Sequence, residues 1–215
     1  QEEIDRSPIQ FSEGNHSRLR PGDIKYRDLN GDGVIDDYDK MPIGFCDIPE
    51  ITYGFGGAIE WKGFDVSIFF QGTARVSLFE EGSTIVPFSS GYKNNDGFLR
   101  GVMENRWTVD NPDPNARYPR TIRPSDALDN NNTKKSSFWV RNAAFLRLKN
   151  AEIGYTFPKR WMEKMAIQNL RLYVSGVNLL TWAPDVHLFD PDLGSGDGRK
   201  HPPTRVFNVG LNINF

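Results

Sequence analysis

Cysteine is almost missing from this chain: Cys46 is the only one in 215 residues, so no internal disulfide can staple the fold. A lone thiol with no Cys or His cluster beside it reads as a small buried or loop residue, and the redox compartment stays open. Histidine is nearly as scarce. His16, His187 and His201 stand apart in segments read as loops, with no HExxH or close His–carboxylate spacing, so a metallohydrolase finds no ligand set. No G-x-S-x-G elbow surrounds any serine, and Asp190 and Asp192 are too near in sequence to flank one glycosidic bond from opposite sides. The residues predict that the chain is not an enzyme. No run approaches the ~18 apolar residues of a spanning helix. The net charge of −2 predicts no nucleic-acid partner. No charged-then-apolar leader opens at Gln1, which predicts either a removed signal peptide or a start inside a longer protein. Asn15-His16-Ser17 and Asn131-Asn132-Thr133 fit the glycosylation triplet, a pattern that arises often by chance.

What is present is alternation. From Arg205 to Phe215, the residues Phe207, Val209, Leu211, Ile213 and Phe215 fall on one face, and Asn208, Gly210, Asn212 and Asn214 on the other. The segment is close to the roughly 9–11 residues with which a tilted strand crosses a bilayer. Upstream, Leu170, Leu172, Val174 and Gly176 oppose Arg171, Tyr173 and Ser175, with a loss of phase over Val177–Leu180 that suggests a bulge. Ala151, Ile153, Tyr155 and Phe157 oppose Asn150, Glu152, Gly154 and Thr156, while Phe145–Lys149 runs in the opposite phase and calls for another bulge. Phe64, Val66, Ile68 and Phe70 oppose Asp65, Ser67 and Gln71. Ile51, Tyr53, Phe55, Gly57 and Ile59 oppose Thr52, Gly54, Gly56, Ala58 and Glu60.

The connections alternate in length. Trp61-Lys62-Gly63 and Pro158–Gln168 are short; Ala74–Ala143 and Trp182–Thr204 are long. A transmembrane barrel does this, with brief periplasmic turns at one rim and extended external loops at the other. The expected fold is therefore all-β: five strands of a larger transmembrane antiparallel β-barrel. Residues 1–50 form an external segment and 51–215 the strands, with external loops 74–143 and 182–204. Trp61, Tyr155, Phe157 and Trp161 gather near the short-turn rim, where amphipathic rings suit the lipid boundary. Five strands cannot close a barrel, and an open edge in lipid leaves backbone groups unpaired. The alternative is a soluble, secreted, calcium-binding β-sandwich module for glycan binding or adhesion, in which the same apolar side chains face a dry core.

A second pattern lies in Asp28-Leu29-Asn30-Gly31-Asp32-Gly33-Val34-Ile35-Asp36-Asp37-Tyr38-Asp39. Side-chain oxygens of Asp28, Asn30, Asp32, Asp36 and Asp39 stand at positions 1, 3, 5, 9 and 12 of the calcium-loop spacing, Gly33 at the sharp turn and the Val34 carbonyl at position 7. Calcium takes about six to eight hard oxygens, which this spacing supplies. Asp39 stands where Glu is usual, and its shorter arm loosens the site. An Asx-rich turn needing no ion is the competing reading. No flanking helices are evident, so the loop is expected to clip structure together and not to switch it.

Gly22-Asp23-Ile24-Lys25-Tyr26 leading into the Asp28 loop, Arg106-Trp107-Thr108, Asn111-Pro112, Tyr118-Pro119-Arg120, Phe145–Asn150, Gly154–Pro158, Val177-Asn178-Leu179 and Gly210–Phe215 together resemble the carboxy-terminal portion of SusC/RagA-type TonB-dependent outer-membrane transporters. The resemblance covers nearly the whole chain from Gly22. It implies a barrel of about 22 strands with a plugged lumen, in the outer membrane of a Gram-negative, Bacteroidota-like bacterium. It further implies import of glycans or peptides, a SusD-like surface lipoprotein as partner, and contact with TonB through an amino-terminal portion absent here. Specificity in such a barrel would live in the loops. Gly97–Trp107 has a helical rhythm through Phe98, Leu99, Val102 and Met103. Trp107, Trp139, Trp182 and Tyr92 are candidate stacking faces for sugar rings, against packing as the blander role. Asp190, Asp192 and Asp197 are candidates for substrate or a second ion, against simple turn chemistry.

Overall fold

The computed structural model describes residues 2–10, 19–82, 85, 99–121, 131–161, 166–196 and 198–215. The strands are β1 Ile9–Gln10, β2 Val34–Ile35, β3 Ile51–Trp61, β4 Phe64–Ala74, β5 Ser77–Phe79, β6 Val140–Asn142, β7 Phe145–Thr156, β8 Asn169–Trp182 and β9 Val206–Asn214. Two short α-helices accompany them, α1 Glu2–Arg6 and α2 Arg100–Glu104. The chain divides into two compact units. The first comprises residues 1–44, 78–141 and 195–199, and the second 45–77, 142–194 and 200–215.

The second unit is built on a five-stranded sheet in the order β3-β4-β7-β8-β9, antiparallel throughout. Register assembles one apolar face. Ile59 opposes Val66, Val66 opposes Ile153, Ile153 opposes Val174 and Val174 opposes Val209, so a single row of β-branched side chains crosses all five strands. The phase reversal in β7 has a definite cause. Phe69 pairs with Asn150 and Phe70 with Leu148, so Lys149 is an extra residue. A strand's side chains alternate strictly, and one inserted residue moves all that precede it to the other face. Leu146 and Leu148 therefore join Ala151 and Ile153 on the apolar side, and Phe145 and Arg147 turn to the polar side. A second irregularity lies in β8, where Asn150 pairs with Val177 but Leu148 with Leu180, and Asn178 adopts a positive φ of 54°.

Among the described residues nothing covers the apolar face. Phe55, Ile59, Phe207 and Val209 remain 55%, 74%, 68% and 75% exposed. A sandwich would bury these side chains against a second sheet about 10 Å away. The sandwich alternative fails on that observation, because the sheet is a single layer with an open apolar side. At its short-turn end the aromatics interlock, with ring centroids 4.6 Å apart for Phe64–Tyr155, 5.1 Å for Tyr155–Phe157 and 6.1 Å for Phe157–Trp161.

The first unit has an ordinary core. Leu19, Ile24, Ile35, Leu78, Val102, Tyr118 and Trp139 are buried. Charges are buried with them in pairs: Glu80 lies 2.9 Å from Arg141 and 3.7 Å from Arg117, and Asp23 lies 2.6 Å from Arg120. Helix α2 falls inside the stretch with helical rhythm and buries Val102, while Gly97 and Phe98 lie outside the described residues. Cys46, which belongs to the second unit, is exposed in a loop.

Candidate functional site: polar sheet face, external loops and acidic loop

The polar face of the sheet carries a charge cluster that alternation alone does not reveal. Arg171 on β8 pairs with Asp65 on β4 through Nε at 3.0 Å and a closer Nη2 contact, and with Glu152 on β7 at 2.6 Å. Gly154 makes the convergence possible, since a β-carbon there would stand 2.6 Å from both the Arg171 and Asp65 side chains. The Arg171 guanidinium also lies 4.9 Å from the Tyr173 ring centre. Tyr173 in turn lies across Gly210, its cross-strand partner, where a β-carbon would meet the ring at 2.2 Å.

A second cluster fixes the last long connection. Arg147 on β7 spends every guanidinium nitrogen: Nη2 on Asp190, Nη1 on Asp192 at 2.8 Å, and Nε on Thr181 Oγ1 at 3.0 Å. Asp190 caps the one-turn helix Pro191–Leu193 by accepting from the Asp192 backbone N–H. Burial pushes the Asp192 carboxyl upward against the opposing pull of Arg147. Asp190 and Asp192 are thus brought together, on an arginine of the sheet. Sequence reasoning missed Arg147; its signal was the reversed phase of Phe145–Lys149, which sends position 147 to the polar face once Lys149 is counted as a bulge.

The three candidate stacking tryptophans occupy three environments. Trp139 is 3% exposed, donates its indole N–H to the Asn132 carbonyl at 3.0 Å and packs against Phe138 and Tyr118. It is a core residue, which corrects its reading as a stacking face. Trp182 is the last residue of β8 and pairs with Leu146 on the apolar side, its ring 6.4 Å from Phe70. That too is a correction, because it belongs to the sheet's greasy face and not to a ligand-facing loop. Trp107 is partly buried in the wall of a cleft of about 320 Å³ that Pro21, Asp113, Pro119 and Phe138 also line. Gly22, at a φ of +91°, lets the ring sit against the backbone; a β-carbon there would be 2.3 Å from it. Tyr92, Asp197 and His16 lie outside the described residues.

The acidic loop is shaped by its own side chains. Asp28 accepts from the Gly31 and Gly33 N–H groups at 2.6 and 2.8 Å, Asp32 from Val34 at 2.8 Å, and Asp39 from Leu29 at 2.7 Å and Asp36 at 2.8 Å. These backbone N–H groups hold the Asp39 carboxyl below the usual carboxylate range. Gly31 and Gly33 both have positive φ, and β2, inside the loop, pairs with β1 and buries Ile35. The donor set of Asp28, Asn30, Asp32, Val34, Asp36 and Asp39 is all hard oxygen and suits calcium. Among the described residues, however, no three acidic, His or Cys side chains converge as a metal-holding group.

No family model matches the chain. Curated relatives do. The chain is 30% identical to the TonB-dependent receptor P26 of Formosa agariphila, over 100% of its length and 21% of the relative's. It is 25% identical to the TonB-dependent receptor SusC of Bacteroides thetaiotaomicron, over 91% of its length and 18% of that protein's. The chain thus spans about a fifth of the curated relatives it matches. Among solved structures, the RagAB peptide transporter superposes with a TM-score of 0.57 at 24% identity, covering 80% of this chain and 18% of that one. The closed-closed state of the RagAB peptide importer gives 0.63 at 22% identity, with 87% and 20% covered. These relatives are receptors and transporters, not enzymes. The sheet with one open apolar face, its antiparallel register and these likenesses converge: the chain is a barrel portion of the SusC/RagA type of TonB-dependent receptor, a protein of the outer membrane.

Proposed function

We propose that the chain forms part of the barrel wall and external rim of a TonB-dependent importer. The observation that carries this reading is the single-layer sheet whose apolar side has no protein cover and whose outer strands, β3 and β9, each have one side unpaired among the described residues. Lipid accommodates the first, and further strands of the same receptor accommodate the second, closing a barrel of about 22 strands. Residues 51–215 then supply strands and loops, and residues 1–50 an external segment. A plug carried by the rest of the receptor would contact TonB, and a SusD-like lipoprotein would close the outer mouth. The cargo is a peptide or a glycan. RagAB is a peptide transporter, and the partly exposed Trp107 ring offers a flat surface to either cargo.

Calcium at residues 28–39 belongs to the same proposal. The loop turns are already set by Asp28 and the two glycines, and the remaining lone pairs of the carboxylates are hard donors. The ion would act as a clip on the external segment.

The test is fractionation of the full receptor from its native envelope. Recovery only with detergent, together with co-purification of a surface lipoprotein, is the expected result. Recovery in the aqueous fraction without detergent would refute the importer reading.

A further inference from the structure

The short-turn end of the apolar face combines its aromatic rings with cations that have no carboxylate partner among the described residues. Lys62 occupies the tip of the β3–β4 hairpin at a φ of 49°, followed by Gly63 at 89°. A side chain other than Asn or Gly is unusual in that turn, so the geometry is maintained for a lysine at some cost. Its ammonium sits 4.7 Å from the centre of the Trp61 ring. The end of β7 lies alongside, because Thr156 N–H donates to the Gly63 carbonyl at 2.7 Å, and it runs directly into the one-turn helix Lys159–Trp161. Lys62, Lys159 and Arg160 are exposed, and so are Trp61 and Trp161, at 65% and 54%. Among the described residues none of the three cations forms a salt bridge. Of the described acids nearby, Asp65 is bound by Arg171 on the polar face, and Glu60, its cross-strand partner, shares that face.

We propose that this rim is a docking surface for anionic phospholipid of the periplasmic leaflet, with Lys62, Lys159 and Arg160 contacting the headgroup phosphate and Trp61, Phe64 and Trp161 flanking the glycerol region. Amphipathic rings seek the boundary between hydrocarbon and headgroups, and basic clusters beside it attract anionic headgroups. The apolar band continues directly upward from these rings through Val66, Ile153 and Ile59, which suits the acyl chains of the same lipid. This inference rests on the outer-membrane barrel reading and adds to it the lipid class and the contacting side chains.

The test uses the full detergent-extracted receptor reconstituted into vesicles of phosphatidylglycerol or of phosphatidylcholine, brominated on the acyl chains near the headgroup. Tryptophan quenching is compared before and after Trp61→Phe with Trp161→Phe, which isolates the rim signal. Phosphatidylglycerol is expected to quench the rim tryptophans more strongly when the two lipids are mixed, and Lys62→Gln with Lys159→Gln and Arg160→Gln to abolish the preference. Each neutralised cation should weaken apparent lipid affinity by about fivefold. Equal quenching by the two lipids, or a preference that survives the triple substitution, would overturn the headgroup site while leaving the barrel intact. Displacement of the lipid by lipopolysaccharide at equal phosphate would overturn it as well, by moving the rim to the other leaflet. Absence of quenching from either lipid would overturn the barrel reading together with the site.

Discussion

Arg147 and Asp190 are joined through a single nitrogen, Nη2, which lies 2.6 and 2.7 Å from the two carboxylate oxygens while the arginine side chain is 2% exposed. One wall residue thereby anchors the last long connection, with Asp192 and Thr181 taking the remaining nitrogens.

Removing Arg147 should release that connection. Arg147→Met is expected to destabilise the second unit by about 3 kcal/mol, the lower end for a broken buried pair because Asp192 is partly solvated. Arg147→Lys, which keeps the charge but cannot serve three partners, should recover only part of this. Limited proteolysis between Leu193 and Thr204 and thermal unfolding of the full receptor would measure both variants. Unchanged cleavage in Arg147→Met would show that the connection is held by something else.

Gly210 and Tyr173 make a prediction about packing. A β-carbon at Gly210 would meet the Tyr173 ring at 2.2 Å, so Gly210→Ala should cost about 1–3 kcal/mol through the displaced ring. Tyr173→Ala in the same chain should return most of the loss. A double-mutant cycle on heat-modifiable gel mobility or unfolding checks the coupling, and additive effects would contradict it.

Much of the sheet was legible before any coordinates. Period-2 alternation is a local property, and the strands of the sheet lie where Phe64–Phe70, Ile51–Ile59 and Phe207–Phe215 placed them. What escaped was set by pairing between distant residues. The Lys149 bulge hid Arg147, because its face depends on an insertion that only the register with β4 reveals. Trp139 and Trp182 look alike in sequence, and their separation into core and apolar wall depends on Asn132 and Leu146 respectively. The Asp65–Arg171 pair bridges strands β4 and β8 across β7, with Gly154 as the gap, and no local pattern announces such a bridge.

Alkaline titration should report on Tyr26. Burial raises its phenol to about 12, and its hydroxyl donates to the Asn131 carbonyl at 2.6 Å. Between pH 10 and 12 the unfolded chain has lost this proton while the folded chain keeps it, so stability is full below about 10 and declines as pH rises through the folded value. The decline amounts to about 3 kcal/mol for a shift of this size. Tyr26→Phe should be less stable at neutral pH and should flatten that part of the profile. A slope unchanged in the variant would assign it to another group.

Calcium provides the fourth test. Terbium luminescence or calorimetry on the full receptor should show one site that Asp32→Ala weakens by at least about tenfold. Asp28→Ala should do more, because Asp28 also holds the Gly31 and Gly33 N–H groups that shape the turn. Retention of full affinity in both variants would leave the loop as an Asx-rich turn.

The extra residue at Lys149 sets which face the first half of β7 presents. Deleting that one lysine would leave Asn150 opposite Phe69 and Leu148 opposite Phe70, so Arg147 would keep the polar face and Leu146 and Leu148 the apolar one. Pairing Lys149 itself with Phe70 would instead carry Arg147 to hydrocarbon and Leu146 and Leu148 to water, so the bulge, and not the length of the strand, keeps the arginine tether in place.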